Sequence, residues 1–111
     1  MIKQAILEVI KDKKKGVSFV ELENSIEGFR GDKTFWLEGN IVIWSSISRE
    51  AAEAIQQLLN EKAIHFNETS YLTYLIDGTM IQLPLVKRPP AHPYKKPHWL
   101  PVAFSYGPRE K

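Results

Sequence analysis

Apolar positions along the chain fall into helical and alternating runs, and these divide most of it into elements. Ile2, Ala5, Ile6, Val9 and Ile10 recur at helical spacing, which predicts a first helix with one apolar stripe. Lys11, Lys13, Lys14 and Lys15 fill its last turn, where cations complement the helix dipole, and Gly16 ends it. In Val17-Ser18-Phe19-Val20-Glu21-Leu22, Ser18 and Glu21 form an S-x-x-E capping box, and Val17 with Leu22 can form the hydrophobic staple. A second helix is therefore expected from Ser18, with Phe19, Leu22 and Ile26 on one face and Gly28 as its stop.

Residues 29–33 read as a loop through Gly31 and Asp32. Thr34 to Glu38 and Ile41 to Trp44 are β-favouring runs around Gly39-Asn40, which predicts a hairpin with a type II′ turn. Ser45-Ser46 reads as a loop and helix-entry pair. Ser48 caps a third helix whose buried stripe is Ala51, Ala52, Ile55, Leu58 and Leu59, with Arg49, Glu50, Glu53, Gln56, Gln57 and Asn60 facing out. Ala63 to Phe66 begins another extended stretch. Tyr71 to Ile76 and Thr79 to Val86, joined by Asp77-Gly78, predict a type I′ hairpin with Leu72, Tyr74, Ile81, Leu83 and Leu85 on its apolar face. Pro84 cannot donate to a ladder, so its strand is expected at an edge.

Charge and proline then split the chain. Residues 1–86 carry a balance of −3 and residues 87–111 a balance of +5, so the net +2 belongs to the C-terminal segment. All seven prolines lie at or after Pro84. The expected organisation is a folded body over 1–86 and a basic, Pro- and aromatic-rich segment over 87–111. Tyr94, Trp99, Leu100, Val102, Phe104 and Tyr106 give that segment too much apolar surface for a solvated linker, so it is expected to dock at least partly on the body.

The element order predicts an α+β fold of three helices with an antiparallel sheet. A helix ending Leu58-Leu59-Asn60-Glu61-Lys62-Ala63-Ile64 and running into a hairpin resembles the end of a winged helix-turn-helix domain, with the hairpin as wing and the Pro-rich segment as a C-terminal extension. The stretches KGVSFVELE (15–23), NIVIWSSIS (40–48), YLIDGTMIQLPLVK (74–87) and KPHWLPVAF (96–104) resemble small uncharacterised proteins of phages and pathogenicity islands in Gram-positive bacteria, of staphylococcal type. That resemblance implies a mobile-element origin and a cytoplasmic setting, and it carries no activity. The third helix departs from a groove-reading helix: Arg49 and Lys62 stand against Glu50, Glu53 and Glu61, and carboxylates are repelled by phosphate.

Candidate chemistry is sparse. The chain has no cysteine, no apolar run long enough to span a membrane and no signal-peptide pattern in its first 15 residues, which fits a cytoplasmic protein. His65, His92 and His98 lack the spacing of a converging metal site, so no metal and no cofactor are expected. There is no G-x-S-x-G, no phosphate-binding glycine loop, and Glu23 with Glu27 reads as a solvated helix face, so the chain is not expected to be an enzyme. Trp36, Trp44, Phe29 and Phe35 are expected in the core. The partner-binding candidates are Lys87, Arg88, Tyr94, Lys95, Lys96 and Trp99, which interleave cations with stacking faces. Lys11, Lys13, Lys14 and Lys15 are candidate nucleic-acid contacts, with helix termination as their structural alternative. The segment 87–111 is read equally as a strap and as a binding segment. The expected function is a small non-catalytic, phage-type binding module, a nucleic-acid-binding accessory or regulatory protein; the alternative is a protein-interaction factor acting on a host protein.

Overall fold

The computed structural model describes residues 2–37, 40–70, 74, 81, 83–86 and 95–108. Three helices and two small sheets make an α+β domain: α1 (Ile2–Lys13), α2 (Phe19–Ser25), β1 (Arg30–Leu37), β2 (Ile41–Ile47), α3 (Arg49–Asn60), β3 (Ile64–Glu68), β4 (His98–Trp99) and β5 (Val102–Tyr106). The helices begin where local chemistry supplies caps. Ser18 Oγ accepts from Glu21 N–H and Ser48 Oγ from Ala51 N–H, satisfying donors that an α-helix leaves open in its first turn. α3 buries Ala51, Ala54, Ile55 and Leu58, with Ala52 and Leu59 half-buried beside them. α1 ends at Lys13, so Lys14 and Lys15 lie beyond it rather than in its last turn.

One sheet has the order β1-β2-β4, with β1 antiparallel and β4 parallel to β2; the other pairs β3 with β5 antiparallel. The C-terminal segment therefore supplies one strand to each sheet. Leu100 N–H reaches Val42 O at 2.9 Å and Thr69 N–H reaches Pro101 O at 2.9 Å, so the chain crosses between the sheets at Leu100-Pro101. On its other side β4 is flanked by residues 84–86. Trp99 N–H donates to Pro84 O at 2.8 Å, and Val86 N–H donates to Trp99 O at 2.9 Å. Pro84 thus serves only as an acceptor.

Four expectations change. The loop over 29–33 is strand from Arg30 onward, and β2 continues through Ser45-Ser46 to Ile47. Gly31 lies so close to the next turn that a Cβ there would sit 2.5 Å from Ser48 Cα, which explains a glycine inside a strand rather than at a turn. Register shifts along β1–β2, with Ser46 at φ +60°, bend the pair. Alternation along β1 puts Trp36 on the face opposite buried Phe35 and leaves it 48% exposed, whereas Phe29, Phe35 and Trp44 are buried as expected. Tyr74 has helical backbone instead of strand; the rest of the Asp77-Gly78 hairpin, apart from Ile81 and residues 83–86, lies outside the described residues.

Aromatic rings join the two sheets. Phe19 stacks on Trp44 at 5.3 Å between centroids, Phe104 meets Phe19 edge-on at 5.1 Å, and Tyr74 bridges Trp44 and Trp99 at 5.2 Å to each. Polar ties fix this column. Tyr74 Oη accepts from Phe19 N–H at 3.2 Å and donates to Val102 O at 2.6 Å. Trp44 Nε1–H donates to Glu23 Oε1 at 2.7 Å, and the other carboxylate oxygen of Glu23 meets Arg30. Glu23 is thereby held at the edge of the core instead of on a solvated face. Trp99 Nε1 is the one buried side-chain polar atom without a partner among the described residues. Such a group costs about 1–3 kcal/mol, which the burial of the ring offsets.

Two substitutions check this frame by chemical denaturation. Tyr74→Phe removes both hydroxyl bonds and is expected to lower stability by about 2 kcal/mol, since Phe19 N–H loses its acceptor in the core. Gly31→Ala forces backbone apart at Ser48 and is expected to cost about 2 kcal/mol. A midpoint equal to wild type for Gly31→Ala would contradict the close approach.

Candidate functional site

The end of α1 and the outer face of the β3–β5 sheet converge on one polar cleft. Alternation in β3 sends Ile64 and Phe66 inward and leaves His65 and Asn67 on the opposite side. In β5, Val102 and Phe104 are buried, so Ala103 and Ser105 take the outer face. Register sets His65 directly opposite Ser105 and Asn67 opposite Ala103. Cross-strand neighbours of this kind have Cβ atoms about 5 Å apart, so the polar groups share one surface.

The loop after α1 closes the cleft. Lys14 N–H completes a helical bond to Ile10 O at 2.7 Å, and Lys14 then takes φ +74°, a left-handed conformation that L-residues rarely adopt. Gly16 repeats it at φ +74°. The chain then runs antiparallel to β5: Val17 and Phe104 exchange backbone bonds of 2.9 and 2.8 Å, and Tyr106 N–H reaches Lys14 O at 2.7 Å. Lys14 and Lys15 are thereby fixed beside Tyr106. The cleft is lined by Lys14, Lys15, His65, Asn67, Ser105, Tyr106 and Pro108 and encloses about 470 Å³.

Its electrostatics are one-sided. None of the described residues lining it is a carboxylate. Lys14 and Lys15 are exposed and form no ion pair among the described residues, whereas Lys13 is engaged by Glu21. His65 Nδ1 lies 2.8 Å from Gly107 O, an atom that can only accept, so Nδ1 carries the hydrogen and Nε2 is left to the cleft. The cleft thus offers two ammonium groups and a set of neutral donors and acceptors, the inventory for an anionic, hydroxyl-bearing ligand. Two other concavities, beside Ile2, have the opposite character, with Glu50 and Glu53 lining one and Glu27 and Glu50 the other.

The sequence-expected site is only partly assembled here. Lys14 and Lys15 line the cleft; Lys11 and Lys13 stand on the preceding helical turn and do not. Lys95 and Lys96 are exposed ahead of β4, which belongs to the other sheet. Trp99 is fully buried against Tyr74, so its ring offers no stacking face to a partner. Lys87, Arg88 and Tyr94 lie outside the described residues, as does His92. His98 Nδ1 meets Lys96 O at 2.8 Å. No group of three or more metal-ligating side chains occurs among the described residues, and no described helix is long and apolar enough to cross a membrane. Sequence spacing had not singled out Asn67, Ser105 or Tyr106. For Asn67 and Ser105 the one signal was the period-two alternation of Ile64 to Asn67 and Val102 to Ser105; for Tyr106 there was none, because the same alternation puts it on the side of Val102 and Phe104.

The strained residue of the cleft supplies a charge-removing variant that keeps the fold. Lys14→Gly relieves the left-handed backbone, against the added entropy of glycine in the unfolded chain, and is expected to change stability by no more than about 0.5 kcal/mol, in the stabilising direction. Lys14→Val is expected to destabilise by about 1 kcal/mol. Urea denaturation of the pair measures both, and equal midpoints would deny the left-handed assignment.

Compared with protein-family models, with curated proteins and with solved structures, the chain finds no match.

Proposed function

We propose that the protein is a small non-catalytic binding module whose ligand is nucleic acid, bound through phosphate at the Lys14–Lys15 cleft. The observation that carries this is the grouping of two lysines, without an ion pair among the described residues, with His65, Asn67, Ser105 and Tyr106, with no carboxylate among the described lining residues. Phosphate contacts of this kind position a polynucleotide without reading its sequence. The winged-helix-like reading of the sequence would make α3 the recognition helix. Yet the outer face of α3 is occupied with itself: Arg49 pairs with Glu53 at 3.0 Å and Gln56 Nε2 donates to Asn60 Oδ1 at 3.1 Å. The cleft, not α3, is the proposed contact. The phage-type origin suggested by the sequence fits an accessory role of this sort. A second proposal, a protein-interaction factor, is favoured by the exposed indole of Trp36 on β1.

Salt dependence separates the two. Binding through several lysines releases counterions, so affinity for mixed-sequence nucleic acid is expected to fall steeply between about 50 and 200 mM salt. Lys14→Gly with Lys15→Gln is expected to lower the slope of log affinity against log salt by about 2. Neutralising Lys87, Arg88, Lys95 and Lys96 in a separate variant tests the contribution of the C-terminal cations. Absence of binding at low salt would remove the nucleic-acid assignment and leave the protein-partner proposal.

A further inference from the structure

We infer that His65 is the third cation of this cleft and makes it pH-sensitive: protonated at Nε2, its ring joins Lys14 and Lys15 on a ligand phosphate, so acid tightens binding. This rests on the nucleic-acid proposal above and adds the regulation of its site. The strands bring the three residues together. His65 pairs across to Ser105 of β5, and the loop holding Lys14 and Lys15 is bonded along the other side of β5, through Tyr106 N–H to Lys14 O and through Val17 with Phe104. One strand therefore separates His65 from the lysines, and all three line the same cleft. Two strand spacings put their backbones about 10 Å apart, a gap that long cationic side chains and a phosphate fill together.

The ring is held for that role. Its Nδ1–H donates to Gly107 O at 2.8 Å, a bond that both charge states make, since Nδ1 carries a hydrogen in each. The bond fixes the ring while the charge changes at the other nitrogen. Nε2 forms no hydrogen bond among the described residues. Without a proton it only accepts, and so does a phosphate oxygen, so the two gain nothing from each other. With a proton it is a charged donor, and charge-assisted bonds are about twice as strong as neutral ones. Imidazole is the side chain that makes this change between about pH 5 and 8. The charged and titratable groups that line the cleft beside His65 are Lys14 and Lys15 of the loop and Tyr106 of β5. The helices that contact this sheet, α1 against β5 and α3 against β3, place no residue in the described lining. With no described carboxylate there, the negative charge that favours the imidazolium is the one the ligand brings. Binding and protonation then strengthen each other by the same factor.

The test is a fluorescence-anisotropy titration of the full chain at constant low salt, at about pH 5.5 and pH 8. The probe is a mixed-sequence DNA duplex of about 12 base pairs with a pH-insensitive label. The wild type is expected to bind about fivefold more tightly at the lower pH, with a slope of log affinity against log salt steeper by about 1. His65→Gln is expected to bind like wild type at the higher pH and to lose the gain at the lower one. Replacing His92 and His98 together by glutamine is expected to keep the gain, since His98 belongs to the other sheet and His92 precedes it in the C-terminal segment. Thermal melts at both pH values establish that each variant is folded. Calorimetry in two buffers of different ionisation enthalpy needs no variant, and proton uptake by the wild type on binding is expected near neutrality. Equal wild-type affinity at the two pH values, absence of proton uptake, or a folded His65→Gln that keeps the gain would overturn the inference while leaving nucleic-acid binding in place. Loss of the gain in the His92 and His98 variant would overturn it as well. Binding at neither pH would overturn both.

Discussion

Tyr74 ties the molecule together through one hydroxyl. Its oxygen accepts from Phe19 N–H, the first helical residue of α2, and donates to Val102 O at the start of β5. The first N–H groups of a helix have no partner within it, and this one is buried where water is excluded. The same ring packs between Trp44 of β2 and Trp99 of β4. One side chain therefore couples a helix start, both sheets and the C-terminal segment. β4 and β5 are too short to persist alone, and they are held because the rings behind them cannot leave the core without exposing several large apolar surfaces.

That coupling positions the cleft. β5 is fixed at its start by Tyr74, along its length by β3, and on its other side by the Val17 bridge. Whatever Tyr106 and Ser105 do is therefore done from a rigid strand. The opposing wall is a short loop whose Lys14 and Gly16 both take left-handed backbone. Left-handed conformation in a lysine is unfavourable, and it persists because Lys14 is bonded at both its N–H and its carbonyl. The two lysines consequently face an established surface instead of trailing from a frayed helix end.

Charge is distributed along the same lines. The concavities around Ile2 carry glutamates, while the β3–β5 cleft is lined by lysines and neutral groups. The C-terminal cations Lys95 and Lys96 lie ahead of β4 and do not line the cleft, although Ser105, Tyr106 and Pro108 of the same segment do.

What the sequence determined by itself was what depends on neighbours a few residues apart. Ser18 and Ser48 announce two helix starts because a cap acts within its own turn, and the stripe of α3 repeats at a period that needs no partner to be read. The hairpin joining β1 to β2 was legible, but not its turn or its extent: Leu37 pairs with Ile41 and Asn40 takes φ +61° instead of the negative φ of the expected type II′ turn, and Gly31 looks like a turn residue until Ser48 is brought against it. Only the tertiary structure decided that Trp99 would enter the core as a parallel neighbour of β2, 57 residues away from Val42 in sequence. It also decided that Lys14 and Lys15 would meet His65, Asn67, Ser105 and Tyr106. These outcomes rest on pairings between distant strands, and such pairings are selected by the packing of the whole core and leave no mark in local spacing.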